Sequence, residues 1–199
     1  MWAKTAESAK RSRRNRTHER IRDAANRLFV ANGFKNTTVD AIAAAASVSK
    51  GTFYLHFDRK EDLLLEYGAR RLHRIREMLP DLLIHRKSFR EAMNEILDVT
   101  VRGKPWSREV TGLAMLAMGT SYERIPVQPP HELFEPLIEL GQARGEIRDD
   151  IPAGPLAQFV VRAILGALRD WGLGANDLSR EAVLDHALTL VFDAMMKRG

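Results

Sequence analysis

Residues 37–57 read TTVDAIAAAASVSKGTFYLHF, and their pattern decides the fold. Thr37-Thr38 supplies a helix N-cap, and Val39, Ile42, Ala43 and Ala46 form a short apolar stripe at helical spacing. Ser47-Val48-Ser49 interrupts that stripe, and Ser49 is placed to cap another short helix running from Lys50 through Leu55. Phe53, Phe57 and Val48 are its core candidates. Two short helices joined by about three residues behind a buttress helix make a helix-turn-helix. The second helix of such a pair is thin enough for the major groove of a duplex, with its first residues facing base edges. Free N–H groups at helix starts also favour phosphate oxygens.

Working outward, the buttress starts near Thr17. Ile21, Ala24, Ala25, Leu28 and Phe29 recur on one helical face, and Asn32-Gly33 supplies a left-handed stop. Downstream, Asp58 and Glu61 match a capping box that starts a longer helix at about Arg59. It carries Leu63, Leu64, Tyr67, Leu72, Ile75 and Leu79 and is expected to stop at Pro80. Further helices are expected near residues 88–102, 106–123, 131–144, 155–172 and 179–197. Hairpin signals and internal repeats are lacking, so the expected class is all-α.

Charge divides the chain. Residues 1–60 hold 13 Lys/Arg against 5 Asp/Glu, whereas residues 61–199 hold 18 against 21. A basic front on a mildly acidic back suggests a segment for polyanions joined to one with another task. The densest run, Lys10, Arg11, Arg13, Arg14 and Arg16, reads alone as a solvated tail and in this context as an extra clamp on DNA. At 199 residues the chain can bury a sizeable core. No apolar run is long enough to span a membrane, and the start has no secretory h-region. With no Cys there is no disulfide, thiol catalysis or Cys-ligated zinc. A soluble cytoplasmic protein with no membrane partner is expected.

Several of these residues together resemble a known family. Ala24-Ala25-x-x-Leu28-Phe29-x-x-x-Gly33-Phe34, Thr37-Thr38-Val39-Asp40-x-Ile42-Ala43, Val48-Ser49-Lys50-Gly51-Thr52-Phe53-Tyr54-x-His56-Phe57 and Lys60-Glu61-Asp62-Leu63-Leu64 are similar to the amino-terminal domain of TetR-family transcriptional repressors. The resemblance covers about residues 17–65, with Ser47 standing where the family usually has Gly. It implies three segments: a basic arm (1–16), a helix-turn-helix DNA-binding domain (17–62), and a helical regulatory and dimerisation domain (63–199). It also implies that Ser49, Thr52, Tyr54 and His56 contact phosphates. Lys50, and Thr52 as a second candidate, would reach base edges, and Gly51 would let the backbone approach the duplex. Thr38 and Lys60 would contact flanking phosphates. Plainer readings stand beside these roles, with Tyr54 as half-buried core and His56 as a surface histidine. The helical cost of Gly51, about 1 kcal/mol relative to Ala, has no stability rationale.

For the back half, the resemblance implies that the last two helices pair with a second copy. The candidates for that homodimer interface are Phe159, Ala163, Ile164, Ala167, Trp171, Leu184, Leu188, Val191, Phe192 and Met195, and an intrachain core must claim some of them. It also implies a pocket for a small-molecule effector among the middle helices. Met93, Leu97, Trp106, Leu113, Met115, Met118, Tyr122 and Phe134 are the candidates, and the Met-rich segment suits a hydrophobic ligand. The implied function is a repressor released from a palindromic operator by that ligand. The rival is a nonspecific or architectural DNA-binding protein. An enzyme is not expected: G-x-S-x-G, Walker A and Rossmann patterns are absent, and the six His show no i, i+4 metal pair. No catalytic residues, metal site or cofactor are called for.

Overall fold

The computed structural model describes residues 2–85, 87–99, 107–121 and 129–196, with backbone alone for 2–10 and 67. Its contacts divide the chain into two compact units, 1–64 and 65–199.

The first unit holds α1 (Trp2–Asn32), α2 (Val39–Ala45) and α3 (Lys50–Tyr54). Helix α1 is 31 residues long, so the basic run belongs to a continuous helix. Ile21, Ala24, Ala25 and Phe29 of α1 are buried, and Gly33 (φ 77) ends the helix in the left-handed region. Thr37 is 1% exposed, and its hydroxyl donates to the Gly33 carbonyl at 2.8 Å. Thr38 caps α2 by accepting the Ala41 N–H, and Ser49 caps α3 by accepting the Thr52 N–H. Ile42, Ala43 and Phe53 close the core, while Val48 is half-buried.

Helix α4 (Asp62–Ile84) starts three residues later than its capping box suggested, because Asp62 itself accepts the Arg59 N–H at 3.2 Å. It also continues through Pro80. A proline within a helix forfeits one backbone bond, but Leu79 and Leu82 are buried on either side and hold the last turn in place. There follow α5 (Phe89–Leu97), α6 (Arg108–Ser121), α7 (Pro130–Ala143), α8 (Ala153–Gly172) and α9 (Arg180–Met195). Ser88 and Glu91 form a reciprocal capping box at the start of α5. This N-terminal hydrogen bonding to Ser88 holds the Glu91 carboxyl below its ordinary range.

Helix α8 is the hub of the second unit, packing against α6, α7 and α9. It meets α6 at a pair of glycines. A β-carbon on Gly172 would lie 2.3 Å from the Gly112 Cα, so neither position has room for a side chain. Arg108 of α6 ties down the end of α8, donating to the Trp171 carbonyl at 2.7 Å and to the Asn176 carbonyl. Its guanidinium also lies over the Trp171 ring. Gly172→Ala should therefore destabilise the protein by about 1–3 kcal/mol in denaturant unfolding. Gly119→Ala, where a β-carbon meets nothing within 4 Å, should stabilise it by about 0.5–1 kcal/mol.

Candidate nucleic-acid interface

Helix α3 has five residues and buries only Phe53. Its other side chains are presented outward. Ser49, Lys50 and Gly51 are exposed, Thr52 is half-buried and Tyr54 is 48% exposed. The Ser49 hydroxyl lies 2.8 Å from that of Thr52. The Tyr54 ring meets that of Phe53 nearly at right angles, with centroids 5.4 Å apart, so it is neither fully core nor fully free. The fold itself does not call for Gly51: a β-carbon there would meet only Ser49 Oγ, at an ordinary 3.8 Å. The smallness of residue 51 matters only to something that approaches from outside.

Three of the expected positions have partners that the sequence did not announce. Lys50 Nζ bonds Asp40 Oδ2 of α2 at 2.9 Å, and that bond, with the carboxylate charge, raises the lysine above its ordinary value. Both side chains are more than half exposed, so the pair adds little to stability and is easily exchanged. Lys60 Nζ donates to the carbonyls of Phe34 and Thr37 at 2.9 and 3.0 Å and lies 4.4 Å from the Phe34 ring centroid. An expected phosphate contact is thus also a tie across the α1–α2 turn. His56 is half-buried beside His18, whose ring lies 5.5 Å away and stacks on Phe57. Thr38 is exposed at the start of α2.

In the second unit, a cavity of about 70 Å³ is lined from five helices, and it includes Leu97, Met115, Met118 and Phe134 among the expected residues. Met93 is buried outside that lining, and Leu113 is half-buried outside it. Trp106 and Tyr122 lie outside the described residues. Helix α4 contributes Gly68, Arg71, Leu72 and Ile75, none of them among the expected pocket residues. Gly68 is pressed against Met118, since a β-carbon there would fall 1.8 Å from the sulfur. Among the described residues no group of three or more His, Asp or Glu could hold a metal ion. No described helix is long and apolar enough to cross a membrane.

The expected interface residues of α8 and α9 separate into two sets. Ile164, Trp171, Leu184, Leu188, Val191, Phe192 and Met195 are at most 9% exposed and pack inside the chain's own core. Phe159 (45% exposed), Ala163 and Ala167 face outward, with Leu178, His186 and Leu190 alongside them on a shallow groove.

Residues 21–67 match the family model described as bacterial regulatory proteins, tetR family. The chain is 27% identical to the HTH-type transcriptional regulator UidR of Escherichia coli (strain K12), over 90% of this chain and 93% of that protein. It is 28% identical to the HTH-type transcriptional repressor DhaR of Mycobacterium sp. (strain GP1), over 92% and 94%. Its fold is similar to that of FadR from Thermus thermophilus, a TetR-family repressor solved in complex with lauroyl-CoA. The TM-score is 0.71 at 24% identity, covering 92% of this chain and 96% of that one.

Burial, followed by the charges of His18 and Arg14, pushes the His56 imidazole below its ordinary value. The folded domain therefore takes up this proton less readily than the unfolded chain, and stability is lost as pH falls through the ordinary histidine range. His56→Gln removes that contribution. The fall in melting temperature between about pH 7.5 and about pH 5.5 should be smaller in the variant than in the wild type.

Proposed function

With a TetR-family DNA-binding domain at its amino terminus the chain is a DNA-binding transcriptional regulator, and we propose that it is a homodimeric repressor released from a palindromic operator by a small apolar effector. The observation that carries the DNA-reading part is α3 itself. It is anchored only by Phe53, presents Ser49, Lys50 and Tyr54 to solvent, and has at residue 51 a glycine that the fold does not need. Lys50 exchanges Asp40 for a base edge, at little cost because the ion pair is exposed. Ser49, Thr52, Tyr54 and His56 follow the phosphates of one strand, and Thr38 and Lys60 those flanking the groove. Lys60 holds the α1–α2 turn with two of its N–H groups and keeps the third for a phosphate.

One α3 covers too few bases for specificity, and a C₂ pair reads two half-sites about 34–36 Å apart. The outward faces of α8 and α9, around Phe159, Ala163, Ala167 and Leu190, are the surface for the second copy. The effector site is the apolar cavity. Its volume, about 70 Å³, holds only a few waters, so a ligand must displace the Met118 side chain from Gly68. A ligand that fits only the displaced arrangement shifts the population toward it, and that preference sets the loss of DNA affinity. The likeness in fold to a lauroyl-CoA-bound repressor supports an acyl-like occupant.

Selection of duplexes from a random pool by the full-length protein should enrich a palindrome, whereas an architectural protein would enrich none. Apolar acyl compounds that release the enriched duplex should also raise the melting temperature of the protein. Lys50→Ala should weaken binding to that duplex by about 1–3 kcal/mol while changing nonspecific binding much less. Leu190→Glu should yield monomers in sedimentation and lose the palindrome with its fold intact.

A further inference from the structure

Helix α2 ends on two backward bonds. The Val48 N–H donates to the Ala43 carbonyl at 2.9 Å, and the Ser47 N–H donates to the Ala44 carbonyl at 3.0 Å. This pairing requires the residue at position 47 to be left-handed. Ser47 obliges with φ 53, the one described non-glycine residue in that region. A residue with a β-carbon resists this conformation, which glycine takes freely. The same turn leaves the carbonyls of Ala46 and Ser47 pointing out of the helix. Arg20 of α1, 27 positions before Ser47, reaches both: its Nη2 donates to the Ala46 carbonyl, and to that of Ser47 at 3.1 Å.

We propose that Arg20 is a positioning residue for DNA reading, which holds the strained Ser47 turn in the one conformation that aims α3 outward. It acts through the backbone of the turn, and the proposal rests on the DNA-reading role given above. Helix α3 is short and has a single buried anchor, Phe53. One anchor fixes where a helix sits but leaves it free to swivel. The turn supplies the second fixed point, and its geometry depends on a residue that intrinsically prefers to leave it. A guanidinium on the last carbonyls opposes that escape in two ways. It donates charge-assisted hydrogen bonds, and it places a positive charge at the negative end of α2. No sequence spacing announces this contact, because it joins an exposed face of α1 to the turn that follows α2.

The rival reading is that Arg20, which is exposed, touches a phosphate directly. Salt dependence and rescue separate the two. Full-length wild type, Arg20→Met, Ser47→Gly and the double variant would be titrated against the duplex enriched by the wild type, over a range of salt. Positioning predicts that Arg20→Met weakens binding about tenfold. The slope of log affinity against log salt should stay unchanged. With glycine at 47 the turn no longer needs holding, so the double variant should bind within about threefold of Ser47→Gly alone. If Arg20→Met fails to fold by circular dichroism, Arg20→Gln is read by the same criteria. Wild-type affinity in the Arg20 variant would overturn the proposal. So would a loss that glycine does not rescue, accompanied by a slope shallower by about 0.9, which marks a lost phosphate contact. A wild type that enriches no duplex would instead overturn the DNA-reading role, and the positioning role with it.

Discussion

A helix of five residues cannot hold itself together in water, because nucleation costs more than so few hydrogen bonds return. Everything in the amino-terminal unit follows from the need to hold α3 from outside. Phe53 is fully buried, Ser49 closes the first turn, and the α2–α3 reversal fixes the approach. The outward face is thereby freed from packing duties. Small and polar side chains, which would weaken a self-supporting helix, are tolerated there because stability comes from elsewhere. A helix face that takes no part in packing is compatible with a stable domain only under that division of labour.

The second unit solves a different problem. Its helices are long enough to be stable through packing, and α8 is their common partner. The contact of Gly112 with Gly172 brings two backbones together, and Arg108 closes the open end. The region around Gly68 and Met118 is packed by a flexible thioether instead of rigid branched side chains. A stiff crossing and an adaptable wall in one unit allow part of the core to rearrange without dissolving the rest.

Much of this was legible in the sequence, for physical reasons. Periodicity and caps are local signals, and they placed the end of α1, the short α2 and α3 and the later helices close to their observed positions, whereas α1 starts at Trp2 and not near Thr17, so the expected arm is part of that helix. The capping box at Ser88 and Glu91 is a signal of the same local kind. What stayed hidden depends on distance in the chain. Asp40 meets Lys50 across ten residues, and Lys60 reaches the carbonyls of Phe34 and Thr37 across 26 and 23. Periodicity also says that a stripe is buried without saying by what. On α8 the broad stripe split into a core row, Val160, Ile164 and Leu168, and an outward row, Phe159, Ala163 and Ala167. At Asp58 and Pro80 local rules were overridden, by the Asp62 carboxylate in one case and by buried leucines in the other.

The length of α1 has a consequence of its own. At about 1.5 Å per residue its 31 residues make a rod about 46 Å long, on which Arg11, Arg13, Arg14 and Arg16 ride at fixed azimuths. A floppy tether would let each cation seek its own anion, indifferent to its neighbours and to its place in line. On a rod the bearings are phase-locked to the buried stripe of Ile21, Ala24 and Ala25, and one inserted residue would rotate them all by about 100°. The register of this leading stretch is thus as much a part of its chemistry as the number of charges it bears.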